Sequence, residues 1–223
     1  MLVKQKGITL IELMVGMVLG LLVTGIAIQM YISTLGITKQ TTETVRLNQE
    51  LRAIADLIIT DVRRAGYWSG ATTGSTNPYS IMVSDNGGGG THLQVFDSPA
   101  GGSNNCIVVS YENNTPNPSE HIYGYRVSGA VIQMLTVTSY ASGSFADCGD
   151  PAGYSATGSW VTLSDSRVFS VSPDSLVFTT NSGGTSWASA SSKSITVAVK
   201  GSAAGDPKIS RELLDTVRIR NEY

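Results

Sequence analysis

Cysteine and histidine are scarce, with two of each in 223 residues. Two thiols and two distant imidazoles fall short of the four-ligand set that structural zinc asks for, so neither a metal nor another cofactor is expected. Charged residues make up 14% of the chain and the net charge is −2. That leaves no broad basic field, and nucleic acid is not expected as the main ligand. No G-x-S-x-G elbow, phosphate loop or dinucleotide fingerprint occurs. His92 and His121 sit in or beside expected strands without an identifiable nucleophile, and serines are too numerous to single one out. No catalytic set emerges, so an enzyme is the function class least expected.

The first segment lacks something more specific. From Ile8 to Ile28 runs an apolar stretch of about 21 residues, close to the ~20 that a helix needs to cross the hydrocarbon core. It contains no Lys, Arg, His or Pro, and its one ionisable side chain is Glu12. A carboxylate near the edge of a bilayer span costs about 2.5 to 3.5 kcal/mol, so it calls for a partner. A cut between Gly7 and Ile8 supplies one. The new amine of Ile8 lies four residues from Glu12, on the same helix face, and with a pKa of about 8 it is largely cationic at neutral pH. Between neighbouring chains the same pair is a docking device, because an unpaired buried charge is the costly outcome.

Two other readings fit part of this stretch. A secretory signal also has a basic start, here Lys4 and Lys6, an apolar core, and a small-x-small cleavage site such as Gly25-Ile26-Ala27. A plain signal anchor is the second. Neither needs a carboxylate at the head of its apolar core. Lys4 and Lys6 precede the span and no charge follows it until Lys39. The short N-terminus is therefore expected in the cytoplasm and the rest in the periplasm. In that oxidising compartment Cys106 and Cys148 suit one disulfide; closing a loop of about 43 residues is worth roughly 4 kcal/mol in the chain-entropy model.

Within the span, Gly16-Met17-Val18-Leu19-Gly20 is a G-x-x-x-G. It reads equally well as a close-packing face and as the ordinary glycine content of membrane helices. Further on, Leu47, Leu51, Ile54, Ile58, Val62 and Ala65 follow the spacing of one helical face, with Asn48, Gln49, Arg52, Asp56, Thr60 and Arg63 on the others. One helix from Ile8 to Ala65 would run about 87 Å, its first half suited to a membrane or fibre and its second to a domain. Arg63, Arg64 and Gly66 mark its end.

The remaining residues, rich in Ser, Thr, Asn and Gly, suffice for one domain with a real core. Ala71 to Pro78 and Asp85 to Gly90 read as loops; the second lacks the ligand spacing of a calcium site. Short β-prone runs are expected as strands: His92 to Phe96, Cys106 to Tyr111, Ile122 to Val127, Ala130 to Val137, Trp160 to Leu163, Val168 to Val171, Leu176 to Thr180, Ile195 to Val199 and Leu213 to Ile219. Val127-Ser128-Gly129-Ala130 predicts a hairpin with a Ser-Gly connection. The runs predict a mostly antiparallel sheet with one face on the helical stripe. Tyr67, Trp68, Tyr123, Tyr125 and Trp160 read either as an aromatic binding patch or as packing.

Lys6-Gly7-Ile8-Thr9-Leu10-Ile11-Glu12 resembles the cleavage and N-methylation motif of type IV prepilins and type II secretion pseudopilins. The resemblance implies that a prepilin peptidase cuts after Gly7 and methylates Ile8, and that Glu12 is the assembly glutamate. Ile8 replaces the usual Phe, and Gln29 stands where major pilins often carry proline. Arg63-Arg64-Ala65-Gly66-Tyr67-Trp68 resembles the helix exit of the PilW family of minor pilins, relatives of the J-type minor pseudopilins. Cys106 to Glu112, Glu120 to Arg126 and Val217 to Asn221 continue that likeness in order.

The implied architecture is α+β: a type IV pilin-like long N-terminal helix, transmembrane in its first half, on a mostly antiparallel head. Its parts are a leader (1–7), a membrane and filament-core helix (8–36), an amphipathic helix (37–66) and a β-rich periplasmic head (67–223). The implied function is a minor pilin that primes pilus assembly and enters the fibre, at its tip. Implied partners are other minor pilins, the major pilin and a tip adhesin, with the inner membrane as starting location. The alternatives are a minor pseudopilin of type II secretion and a tip module that binds DNA or a surface ligand.

Overall fold

A computed structural model describes residues 7–70, 72, 79, 92–98, 101–113, 121–140, 148–149, 156–180 and 194–219. The expected loops Ala71 to Pro78 and Asp85 to Gly90, and the motif residues Lys4, Lys6, Glu120, Arg220 and Asn221, lie outside these, apart from Thr72. The chain forms two compact units, Met1–Thr44 and Val45–Tyr223. Helix α1, Leu10–Arg64, contributes to both.

In the first unit every residue from Gly7 to Thr42 is exposed, apolar side chains included. Among the described residues, α1 is the one helix long and apolar enough to cross a membrane. Its threonine hydroxyls are internally satisfied. Thr24 Oγ1 donates to the Gly20 carbonyl at 2.8 Å and Thr34 Oγ1 to Met30 at 2.9 Å. Thr38, Thr41, Thr42 and Thr44 repeat this bond one turn back along the helix. Backbone acceptors four residues earlier are the natural partners of a threonine with no other polar group in reach.

In the second unit the spacing of the stripe works out as burial. Leu47, Leu51, Ile54, Ile58, Val62 and Ala65 are all buried, joined by Ala55 and Ile59. Gly66 ends the helix at φ 76°, a left-handed position that glycine adopts without strain. Its N–H donates to the Ser110 carbonyl at 2.8 Å, and the Glu112 N–H donates to Tyr67 at 2.8 Å, so the helix exit is stitched to the strand beside it. Bonds from Ser69 hold the exposed Glu112 carboxyl below its usual range.

The strands form two antiparallel sheets rather than the single sheet expected. The first is a meander of β1 (Leu93–Phe96), β2 (Cys106–Ser110), β3 (Ile122–Ser128), β4 (Val131–Tyr140) and β5 (Ala156–Thr162). The second centres on β8 (Ser194–Ala203), flanked on one edge by β6 (Phe169–Ser170) and β7 (Leu176–Thr180) and also paired with β9 (Ser210–Arg218). Both sheets feed one apolar core around the helix: Ile107, Val109, Tyr125 and Val127 from the first, Phe178, Val197, Val199 and Val217 from the second. The Phe178 N–H bonds the Asn104 carbonyl at 2.8 Å across the two sheets. Fully buried Asn105 accepts from the Ser98 N–H at 2.6 Å and donates to Gly101 at 2.6 Å and Pro173 at 3.1 Å. Three bonds leave little of its amide unsatisfied.

The β3–β4 hairpin is one residue out of the expected frame. Ser128 pairs with Val131, so Gly129-Ala130 is the connection. Gly129 has φ 60° and Ala130 does not share the sign, which is the pattern of a turn with glycine in its first central position. Register follows the glycine.

β2 is buried on both faces. Ile107 and Val109 face the helix-side core, while Cys106 and Val108 join Ile122, Leu135, Val137 and Cys148 in a second cluster. Cys106 and Cys148 are disulfide-bonded with Cα atoms 6.5 Å apart, within the ordinary range. Trp160 Nε1 donates to the Gly149 carbonyl at 2.8 Å. The Arg126 guanidinium lies 4.2 Å from the Trp160 ring centroid and donates to the Cys148 carbonyl. Bridge, indole and guanidinium together fix residues 148 and 149 to the sheet.

Asp61 is 6% exposed on the buried side of α1. Its carboxylate accepts from the Tyr111 hydroxyl at 2.8 Å and from the Tyr125 hydroxyl. Tyr111 also stacks on Tyr123 at 4.6 Å between centroids, with Arg64 over its other reach at 5.8 Å. Burial, then the Asp61 charge, pushes both phenols far above their usual range. A phenol that stays protonated when folded but ionises near pH 10 when unfolded stabilises the fold fully below that pH and progressively less above it. Stability should therefore fall above about pH 10 by up to ~1.4 kcal/mol per pH unit for each tyrosine. Thermal melts from pH 8 to 11 check this, and Tyr125→Phe should show a shallower decline. Cys106→Ser should lower the melting temperature of the oxidised protein, by roughly 2 to 4 kcal/mol of stability; an unchanged melt would deny the bridge a stabilising role.

Candidate processing and assembly site

The site is built where the chain enters α1. Gly7, Ile8 and Thr9 are not helical, and α1 begins at Leu10. Thr9 is the capping residue. Its carbonyl accepts from the Glu12 N–H at 3.1 Å and the Leu13 N–H at 3.2 Å, and its Oγ1 lies 3.4 Å from the Glu12 nitrogen. The Thr9 hydroxyl also points to Glu12 Oε2 at 3.5 Å. Thr9-Leu10-Ile11-Glu12 has the T-x-x-E spacing of a capping box, of which the half from the Glu12 N–H to the Thr9 hydroxyl is formed, while the Glu12 carboxylate meets the Thr9 hydroxyl. Sequence reasoning assigned Glu12 only a charge partner and passed over this local role, although the spacing carries the signal.

The cap has two chemical effects. It stops the helix just after the Gly7–Ile8 peptide, leaving that bond in non-helical backbone. Ile8 is 76% exposed and Gly7 has open space where a side chain would stand. It also places the Glu12 carboxylate in the first helical turn, where unpaired N–H groups and the helix dipole favour negative charge. Ile8 precedes the helix, so the expected same-face relation of residue 8 to Glu12 requires the helix to extend back over Thr9 and Ile8.

The other sequence candidates do not gather with this segment. Cys106 and Cys148 form the bridge described above. His121 is buried with its ring edge-on to Tyr79 at 5.2 Å, and His92 is half-buried beside β1. Among the described residues, no group of three or more His, Cys, Asp or Glu is placed to hold a metal. Three of the five aromatics are packing residues: Tyr125 is in the helix-side core with Tyr123 against it, and Trp160 packs on the disulfide cluster. Gly16 and Gly20 are exposed, with open space around each.

Comparison with known families agrees with the geometry at both ends of the chain. Residues 2–28 match the model of the prokaryotic N-terminal methylation motif. Residues 40–219 match the model described as prepilin peptidase-dependent protein B. No curated protein and no solved structure gives a match. The second model covers most of the chain, including the helical stripe and both sheets. A methylation motif on a membrane-anchoring helix, continuous with a head of this family, places the chain in the prepilin peptidase-dependent protein B family, among the type IV prepilin- and pseudopilin-like proteins.

Proposed function

We propose that the chain is a minor pilin that primes assembly of a type IV pilus and is built into the fibre at its tip. The observation that carries this reading is Glu12: one carboxylate at the head of an otherwise uncharged, fully exposed helical surface running to Lys39. The assignment has four parts. Residues 1–7 are the leader that prepilin peptidase removes after Gly7. Residues 8–36 span the inner membrane and then pack in the fibre, 37–66 join the head, and 67–223 form the periplasmic head. Ile8 becomes the methylated N-terminus, and its amine neutralises Glu12 of its own chain or of a neighbour.

An elaborate head with two apolar clusters and a disulfide exceeds what an anchor needs. That supports contacts with other minor pilins, the major pilin and a tip adhesin. Glu12→Gln should leave cleavage intact and reduce incorporation into sheared fibres at least tenfold, since a buried amine then lacks its counter-charge. Immunoblots of membrane and fibre fractions measure both, and normal incorporation would refute the docking role. Deleting the gene should sharply reduce surface pili and twitching. Intact pili with loss of exoprotein secretion would instead assign the chain to a type II secretion machine.

A further inference from the structure

We propose that β5 is the edge at which a strand from the head of a different prepilin-type subunit adds to the first sheet, an inference that rests on the assembly role proposed above. An edge strand presents a row of unpaired N–H and C=O groups, and folded proteins guard such edges by shortness, charge or a cover. The other edges of this head are guarded. β1 is 4 residues long and none of its side chains is exposed. β9 carries Arg211, Glu212, Asp215 and Arg218 among its 9 residues. β6 has only 2 residues, and the neighbouring β7 is met by the loop before β2, where the Phe178 N–H bonds the Asn104 carbonyl.

β5 has none of these devices. Among the described residues it pairs with β4 alone. Its 7 residues include no proline, and no charge occurs between Asp150 and Asp165. Ser159, Val161 and Thr162 are exposed. A bulge in β4 between Val137 and Ser139 adds twist beside the start of β5. From Ser159 to Thr162 the ladder is regular, opposite Thr136 to Gln133, and this is the stretch suited to a new neighbour.

The side chains say what that neighbour is like. Val161 stands opposite Met134, which packs against the helix-side core, yet Val161 itself is 49% exposed. The apolar core thus stops short of the edge of its own sheet. An added strand would cover Val161, its main chain supplying the affinity and the residue set against Val161 the preference. A charged residue there would lose water and meet no opposite charge on β5. The incoming strand is therefore uncharged, with an apolar side chain at that position. A second copy of this chain fits poorly. Its β9 would bring four charges to an edge that holds none. Antiparallel pairing of β5 with its own copy closes about a two-fold axis normal to the sheet and reverses the second head, whereas subunits that enter one membrane from the same side share a direction.

The test uses the full chain in piliated cells, with Val161→Lys, Val161→Thr and, as a control on the guarded edge, Leu214→Lys. Val161→Lys should reduce incorporation into sheared fibres about tenfold with its melting temperature unaltered, while the other two stay within about twofold of the unaltered chain. Photocrosslinking from Val161→p-benzoylphenylalanine should join the chain to a β-strand of a different pilin head, located by mass spectrometry. With the unaltered chain present in fibres, normal incorporation of Val161→Lys, an equal loss with Leu214→Lys, or crosslinks confined to copies of this chain or to a helix would overturn the proposal and leave the assembly role standing. Absence of the unaltered chain from fibres would remove the assembly role and this inference with it.

Discussion

Burial of one helical stripe, Leu47 to Val62, is the constraint from which the head is built. Its side chains are covered by strands of both sheets, and those sheets share no continuous ladder. Without the helix, Ile107 and Val109 on one side and Val197 and Val199 on the other would face water. The apolar area removed is worth ~25 cal/mol per Å², and it is the helix that lets both sheets collect it. Asp61 adds direction to this non-directional attraction. A carboxylate in the middle of the stripe tolerates few positions, and the two phenols of Tyr111 and Tyr125 supply one. A slide of the helix by one turn would leave the charge buried without donors, which costs several kcal/mol. The acid therefore opposes alternative registers that the apolar stripe alone would accept.

Much of this was legible in the residues. The 3.6-residue spacing from Leu47 to Ala65 marked the buried face, because a helix of fixed period has no other way to hide those side chains. Leu176 to Thr180 matches its strand at both ends, and each of the other runs overlaps a strand, because β-branched residues alternate between core and surface there. Division into two sheets was not legible. It depends on where β8 finds partners, and pairing over distances of tens of residues leaves no local mark. Asp61 was missed for a related reason: it shares the polar character of Asp56 and Thr60, and only Tyr111 and Tyr125, brought over it by β2 and β3, make it an interior residue. The hairpin at Ser128 slipped by one position because the register obeys the sign of φ at Gly129.

At the entry to α1 the sequence offered candidates, Gly7, Ile8 and Glu12, and withheld their geometry. Their arrangement turns on Thr9, whose cap decides where non-helical backbone ends.

The threonine hydroxyls of α1 have a consequence for how such a helix travels. From Thr24 to Thr44 each threonine hydroxyl is closed on a carbonyl of the preceding turn. A threonine served in this way requires nothing of its surroundings, and lipid tails and protein side chains become interchangeable solvents for it. Across the membrane-length run from Ile8 to Ile28, Glu12 is then the one ionisable residue left to tell the helix which medium it is in.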